Sequence, residues 1–164
     1  MPSLNVASPD CGAAFFAGHA ARCTDLQRAA SLADLRVILD GRAGTGAPGP
    51  VTLDLIGHST RGHRLLRLGR TPVDMLDPVV AGFFRNLAGD GTLARNGVRA
   101  VRLIGCETAV TDAGQRTMRM LARTLGVPVF GTLVPLLKSH FGADGFDPAF
   151  TGVLTAARPG ASPQ

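Results

Sequence analysis

Apolar positions along the chain follow two rhythms. One is the short unbroken run closed by glycine, seen in VTLDLIG (Val51 to Gly57), VRAVRLIG (Val98 to Gly105) and the shorter VPVFGT (Val127 to Thr132). Runs of this length and composition predict buried strands of the parallel type, Asp54 being the one acid that interrupts the first. The other rhythm is helical. Asp74 to Leu87 carries Leu76, Val79, Val80, Phe83, Phe84 and Leu87 as an apolar stripe, with Pro78 in the first turn. Between a Thr111 or Asp112 cap and Gly126, a second helix would turn Met118, Leu121, Ala122 and Leu125 inward and Arg116, Arg119 and Arg123 to water. A third helical stretch runs from a Thr24 or Asp25 cap to Gly41, with Leu26, Ala29, Ala30, Ala33 and Val37 near one face.

The connecting stretches are shorter and rich in turn formers. CGAAFFAG (Cys11 to Gly18) predicts a first buried strand, and STRGHRLLRLGRTP a small hairpin. GRAGTGAPGP and the stretch from Gly89 to Gly97 read as loops. The former has no Gly-Lys-Ser/Thr and no helix after it, which excludes a phosphate loop. VPLLKSHF suggests a short helix, FTGVLTAA an edge strand, and RPGASPQ has a disordered composition. Strand and helix alternate, so the expected fold is a single three-layer α/β/α domain on a mostly parallel sheet. It would span residues 1–157, with 158–164 as a disordered tail.

Composition narrows the function more than the fold. A chain of 164 residues buries a core without staples, and three cysteines (Cys11, Cys23, Cys106) with no CxxC spacing predict free thiols and no structural zinc. No cofactor or metal is expected. No apolar run reaches membrane-spanning length and the first residues lack a basic leader, so a cytoplasmic protein is expected, with no membrane partner. The net charge is +5, and all but one of the 17 basic residues are arginine. With no Trp or Tyr for base stacking and the arginines dispersed, nucleic acid is not an expected partner. Arg61, Arg64, Arg67 and Arg70 recur every third residue and read as solvated positions on the hairpin.

The chemistry concentrates in two echoing segments. LDLIGHST delivers His58 and VRLIGCETA delivers Cys106, 48 positions later. Each reactive residue follows Ile-Gly at the end of a predicted strand, so adjacent parallel strands would bring both to one sheet edge. LDLIGHS and LIGCETA resemble the signature segments of the caspase-like cysteine peptidases, the clan of caspases, gingipains, separase and the CHAT domains. Bacterial caspase-like domains of uncharacterised function share the His strand, a hairpin closing in Leu-Gly (here Leu68-Gly69), a helix and a Gly-Cys strand. The resemblance covers residues 51–132.

It implies Cys106 as thiolate nucleophile and His58 as general acid to the departing amine. The N–H groups of Ser59 and Cys106 would hold the oxyanion, and Gly57 and Gly105 would permit the sharp turns beside it. Ser59 stands where the clan often has glycine, and Glu107 follows the cysteine. Glu107 or Asp112 near the site would favour a basic side chain before the scissile bond. The partner would be a peptide or protein substrate, with a further protein partner or a second copy also open. Two other readings use the same residues: a catalytically inactive caspase-like interaction domain, and a serine hydrolase with Ser59 as nucleophile in a GxSxG-like GHSTR, completed by Asp112 and His140.

Overall fold

Six strands form the sheet that organises the chain. The computed structural model describes residues 1–12, 26–46 and 49–160. In chain order the elements are β1 (Ser3–Ala7), β2 (Leu26–Arg28), α1 (Leu32–Ala43), β3 (Val51–Ile56), β4 (Arg67–Leu68), β5 (Thr71–Pro72), α2 (Pro78–Gly89), α3 (Thr92–Arg95), β6 (Val98–Ile104), α4 (Asp112–Leu125), β7 (Val129–Thr132), β8 (Phe141–Gly142), β9 (Gly145–Phe146) and β10 (Leu154–Ala157). The main sheet has the order β10-β7-β6-β3-β1-β2, parallel except where β10 runs antiparallel to β7 at the edge. Short hairpins pair β4 with β5 and β8 with β9.

Side chains alternate across a strand, so each face has its own composition. Val6, Leu53, Leu55, Val101, Leu103 and Val129 join one buried cluster with Leu35 and Leu39 of α1, Phe84 and Leu87 of α2, and Met118 and Leu121 of α4. Each such side chain contributes roughly 1.5–3 kcal/mol through burial. On the opposite face Ala7, Ile56 and Ile104 pack against Cys11, Leu136, Phe141 and Phe146, so 3-10 turns and the β8–β9 hairpin form the third layer there. The fold is the expected α/β sandwich on a mostly parallel sheet.

Local chemistry sets the helix ends. Ser31 caps α1 by accepting from the Asp34 N–H, Asp77 caps α2 ahead of Pro78, and Thr111 caps α4, which Gly126 closes in a left-handed conformation. Two expectations fail for this reason. Leu26 to Arg28 pairs with β1 as a strand, so the first helix begins at Leu32, after its Ser31 cap, and runs through Gly41 to Ala43. Its phase puts Leu32, Leu35 and Leu39 inside and leaves Val37 70% exposed. Likewise α2 starts at Pro78, which leaves Leu76 and Val79 outside the stripe, 56% and 75% exposed.

Other departures are smaller. The loop from Gly89 to Gly97 holds the single turn of α3, VPLLKSHF yields only a 3-10 turn at Lys138–His140, and β1 had no sequence signal. Of the expected CGAAFFAG strand, Cys11 and Gly12 end a 3-10 turn and the rest lies outside the described residues, as do Cys23 and 161–164.

Candidate active site at the carboxyl edge of the sheet

The central pair of strands carries both reactive residues to the same place. β3 and β6 run parallel with Ile56 opposite Ile104, so His58 and Cys106 each lie two residues past matched positions. The sheet order also reverses here: from β1 the chain proceeds to β2 on one side, and from β3 to β6 on the other. Such a switch point opens a crevice beyond the strand ends, the usual ligand position in α/β sheets. His58 spans that crevice, its Nε2 lying 3.1 Å from the Asp10 carbonyl oxygen. A carbonyl only accepts, so Nε2 carries the proton in this contact.

Close backbone approach explains the glycines. A β-carbon on Gly57 would lie 2.3 Å from the Arg67 carbonyl oxygen, and one on Gly105 would lie 2.9 Å from Leu66 Cδ1 and 3.0 Å from the Gly57 carbonyl oxygen. Two hydroxyls then fix the cysteine turn. Ser59 Oγ donates to the Cys106 carbonyl at 2.7 Å, and the buried Thr132 hydroxyl donates to the Gly105 carbonyl. Thr108 locks the same turn, giving its hydroxyl to the Leu103 carbonyl at 2.8 Å and its N–H to Thr132 Oγ1 at 3.1 Å.

Around the turn, Thr60 donates to Leu65, Arg67 to His58 and Gly57 to Ile104. The N–H groups of Ser59 and Cys106 take no partner among the described residues. Cys106 is half-buried, and its Sγ receives the Leu136 N–H at 3.4 Å. No hydrogen bond joins it to His58 among the described residues. A general acid serves the leaving group rather than the thiol, so a direct bond is no requirement of that role.

Glu107 adopts φ 58°, a left-handed conformation, and donates its N–H to the Val134 carbonyl at 3.2 Å. Asp112 is exposed in the first turn of α4, where Thr111 also ties the hairpin down by donating to the His63 carbonyl at 2.5 Å. Arg61, Arg64 and Arg70 are exposed, whereas Arg67 is partly covered and pairs with Asp10 at 3.1 Å. The other thiol contrasts with Cys106: burial, reinforced by Asp10, pushes Cys11 up to about 12.

The elbow expected for Ser59 as nucleophile is absent. The chain after Ser59 enters an antiparallel bridge with Leu66, and no helix follows until Pro78. His140 is buried between Phe146 and Phe150, its Nδ1 accepting from the Leu137 N–H at 2.9 Å. No hydrogen bond links it to Ser59 among the described residues. Asp10, Leu136 and the Thr108–Thr132 pair were not found from the sequence, because long-range folding alone brings them here.

Fold and site together define an α/β sandwich that sets a histidine and a cysteine beyond the carboxyl ends of adjacent strands in a mostly parallel sheet. No family model matches the chain, and no curated protein is detectably similar to it in sequence. Among the described residues no helix is long and apolar enough to cross a membrane, and no three His, Cys, Asp or Glu residues are grouped to hold a metal ion.

Proposed function

We propose that the protein is a cysteine peptidase of the caspase-like type, with Cys106 as nucleophile and His58 as general acid. The observation that carries this reading is the β3–β6 register, which sets the two residues at matched positions beyond adjacent strands. The N–H groups of Ser59 and Cys106, without a partner among the described residues, support it, since backbone donors left open beside a nucleophile suit an oxyanion.

In the reaction, the Cys106 thiolate bonds to the acyl carbon and the carbonyl π electrons move to oxygen, held by those two N–H groups. The oxyanion collapses, the C–N bond breaks, and protonated His58 gives its proton to the departing nitrogen. Water then attacks the thioester and yields one proton to His58; the acid leaves and the thiolate returns. The substrate would be a peptide. Glu107 and Asp112 are the nearest acids in sequence to Cys106 and would favour a basic side chain before the scissile bond. An inactive caspase-like interaction domain is the second reading, favoured by the engagement of His58 Nε2 with the Asp10 carbonyl instead of Cys106.

Cleavage of fluorogenic peptide amides with a basic residue before the scissile bond tests the dyad, with mass spectrometry to find the acyl group on Cys106. At least one is expected to be cleaved, Cys106→Ala to abolish the cleavage, and His58→Ala to slow it about a hundredfold or more. Cleavage that survives Cys106→Ala, or no cleavage of any such peptide, would sink the peptidase reading and leave the binding domain.

A further inference from the structure

Two buried threonines meet behind the cysteine turn. Thr108 and Thr132 are both shut off from solvent, and each gives its N–H to the other's Oγ1, at 3.1 and 2.9 Å. Gly131 permits this approach, since a β-carbon there would lie 3.1 Å from Thr108 Oγ1 and 2.7 Å from Met118 Sδ. The Thr108 hydroxyl hydrogen goes to the Leu103 carbonyl at 2.8 Å. That of Thr132 goes to the Gly105 carbonyl, a closer acceptor than Thr108 Oγ1 at 3.2 Å. Among the described residues nothing else donates to the Gly105 carbonyl.

The consequence falls on the other end of the same peptide unit. In a trans peptide the C=O and the N–H that follows it point in opposite directions. β7 and β3 flank β6 on opposite sides. With the Gly105 carbonyl drawn toward Thr132 of β7, the Cys106 N–H is turned to the β3 side. The alternation along the strand agrees, because the preceding carbonyl, that of Ile104, accepts the Gly57 N–H at 3.2 Å and so faces β3. The same device acts on the histidine strand. There the His58 carbonyl accepts the Arg67 N–H at 2.9 Å, which turns the Ser59 N–H away from the hairpin. Each N–H assigned to the oxyanion is thus aimed from behind, one through a backbone donor and one through a side chain.

Glycine makes the cysteine strand the sensitive one. Gly105 has no β-carbon to restrict its backbone angles, so the 105–106 peptide can turn over, which would bring a carbonyl to the crevice in place of an N–H. A carbonyl there repels a developing oxyanion. Resting on the peptidase reading above, we infer that Thr132 is a positioning residue, whose hydroxyl holds the Gly105–Cys106 peptide with its N–H toward the oxyanion. Being fully buried, Thr132 acts through that peptide and not on the substrate. Its effect therefore belongs to the transition state, and falls on kcat rather than KM.

Thr132→Val removes the hydroxyl at nearly constant volume, and Thr132→Ser keeps it. On a fluorogenic peptide that the parent cleaves, Thr132→Val is expected to lower kcat about tenfold to a hundredfold, with KM within about twofold. Thr132→Ser is expected to stay within about threefold of the parent. Amide hydrogen exchange, followed by NMR on the parent itself, depends on no variant folding. The Cys106 N–H is expected to exchange readily at first and to gain protection once a peptide aldehyde is added. In that adduct the thiolate bonds to the aldehyde carbon, and the carbonyl electron pair moves to the oxygen held by the N–H. The positioning role is overturned, and the peptidase reading left standing, by an unchanged kcat in Thr132→Val, a loss carried by KM, no rescue by serine, or no protection of Cys106 in the adduct. A parent that neither cleaves a peptide nor takes up the aldehyde overturns the peptidase reading, and this role with it.

Discussion

A methyl group decides much at the sheet edge just beyond β3. On Gly57 it would press within 2.3 Å of the Arg67 carbonyl oxygen, a backbone atom that cannot swing aside as a side chain does. Gly57→Ala is expected to cost about 1–3 kcal/mol, read as a lower urea midpoint at unchanged m-value. Gly41→Ala is the internal comparison: it lies within α1 with nothing inside 4 Å of the added carbon, so about 0.5–1 kcal/mol of stabilisation is expected there. Equal effects from the two would refute the close-approach argument. The requirement for glycine before each reactive residue was legible, because Ile-Gly recurs in both segments. The Leu136 N–H on Cys106 and the Asp10 carbonyl on His58 were not, since a backbone group leaves no residue-type signal.

At the scale of elements, legibility followed the strength of the pattern. β3, β6, β7 and α4 were readable because a central strand is a mostly apolar run closed by glycine, and a packed helix carries one full apolar stripe. β1 was not, for polar Ser3 and Asn5 alternate with Leu4, Val6 and Ala7 and break the apolar run. β2 was mistaken for a helix start because Leu26 keeps helical spacing with Ala29 and Ala30. Asp54 read as a mere interruption, whereas it is half of an ion pair between β3 and β6.

Burial pushes the Asp54 carboxyl above its ordinary range, with Arg102 acting against that shift. Asp54→Leu or Arg102→Met alone leaves one uncompensated buried charge and is expected to cost about 3–5 kcal/mol, while the double variant returns to within about 1 kcal/mol of the parent or exceeds it. Chemical denaturation of the four proteins closes the cycle. Additive losses would mean that the two side chains do not act as a pair.

Across the whole molecule, acid offers a test of how the helical layer is tied together. Asp90 follows α2 and bonds three ways: to Arg36 of α1 at 2.6 Å, and to the Thr92 N–H and hydroxyl at 3.0 and 2.6 Å. The Thr92 hydroxyl and Arg36 lower its carboxyl from 3.8 to about 2. A carboxyl depressed on folding contributes stability that is complete above 3.8 and lost as pH falls through about 2. Asp54 has the opposite sign: its raised value means the folded state holds a proton that the unfolded chain releases, so its contribution falls as pH rises from 3.8. The urea midpoint of the parent should therefore drop below pH 3.8 more steeply than that of Asp90→Asn, whose profile there is expected to flatten. Because Asp90 is solvent-exposed, the part of that difference due to Arg36 should shrink when salt is raised to about 1 M, where the Debye length is about 3 Å. The part due to Thr92 should persist, since a hydrogen bond at 2.6 Å is too short for salt to screen. Parallel acid profiles for parent and Asp90→Asn would show that this tie does not hold the helices in solution.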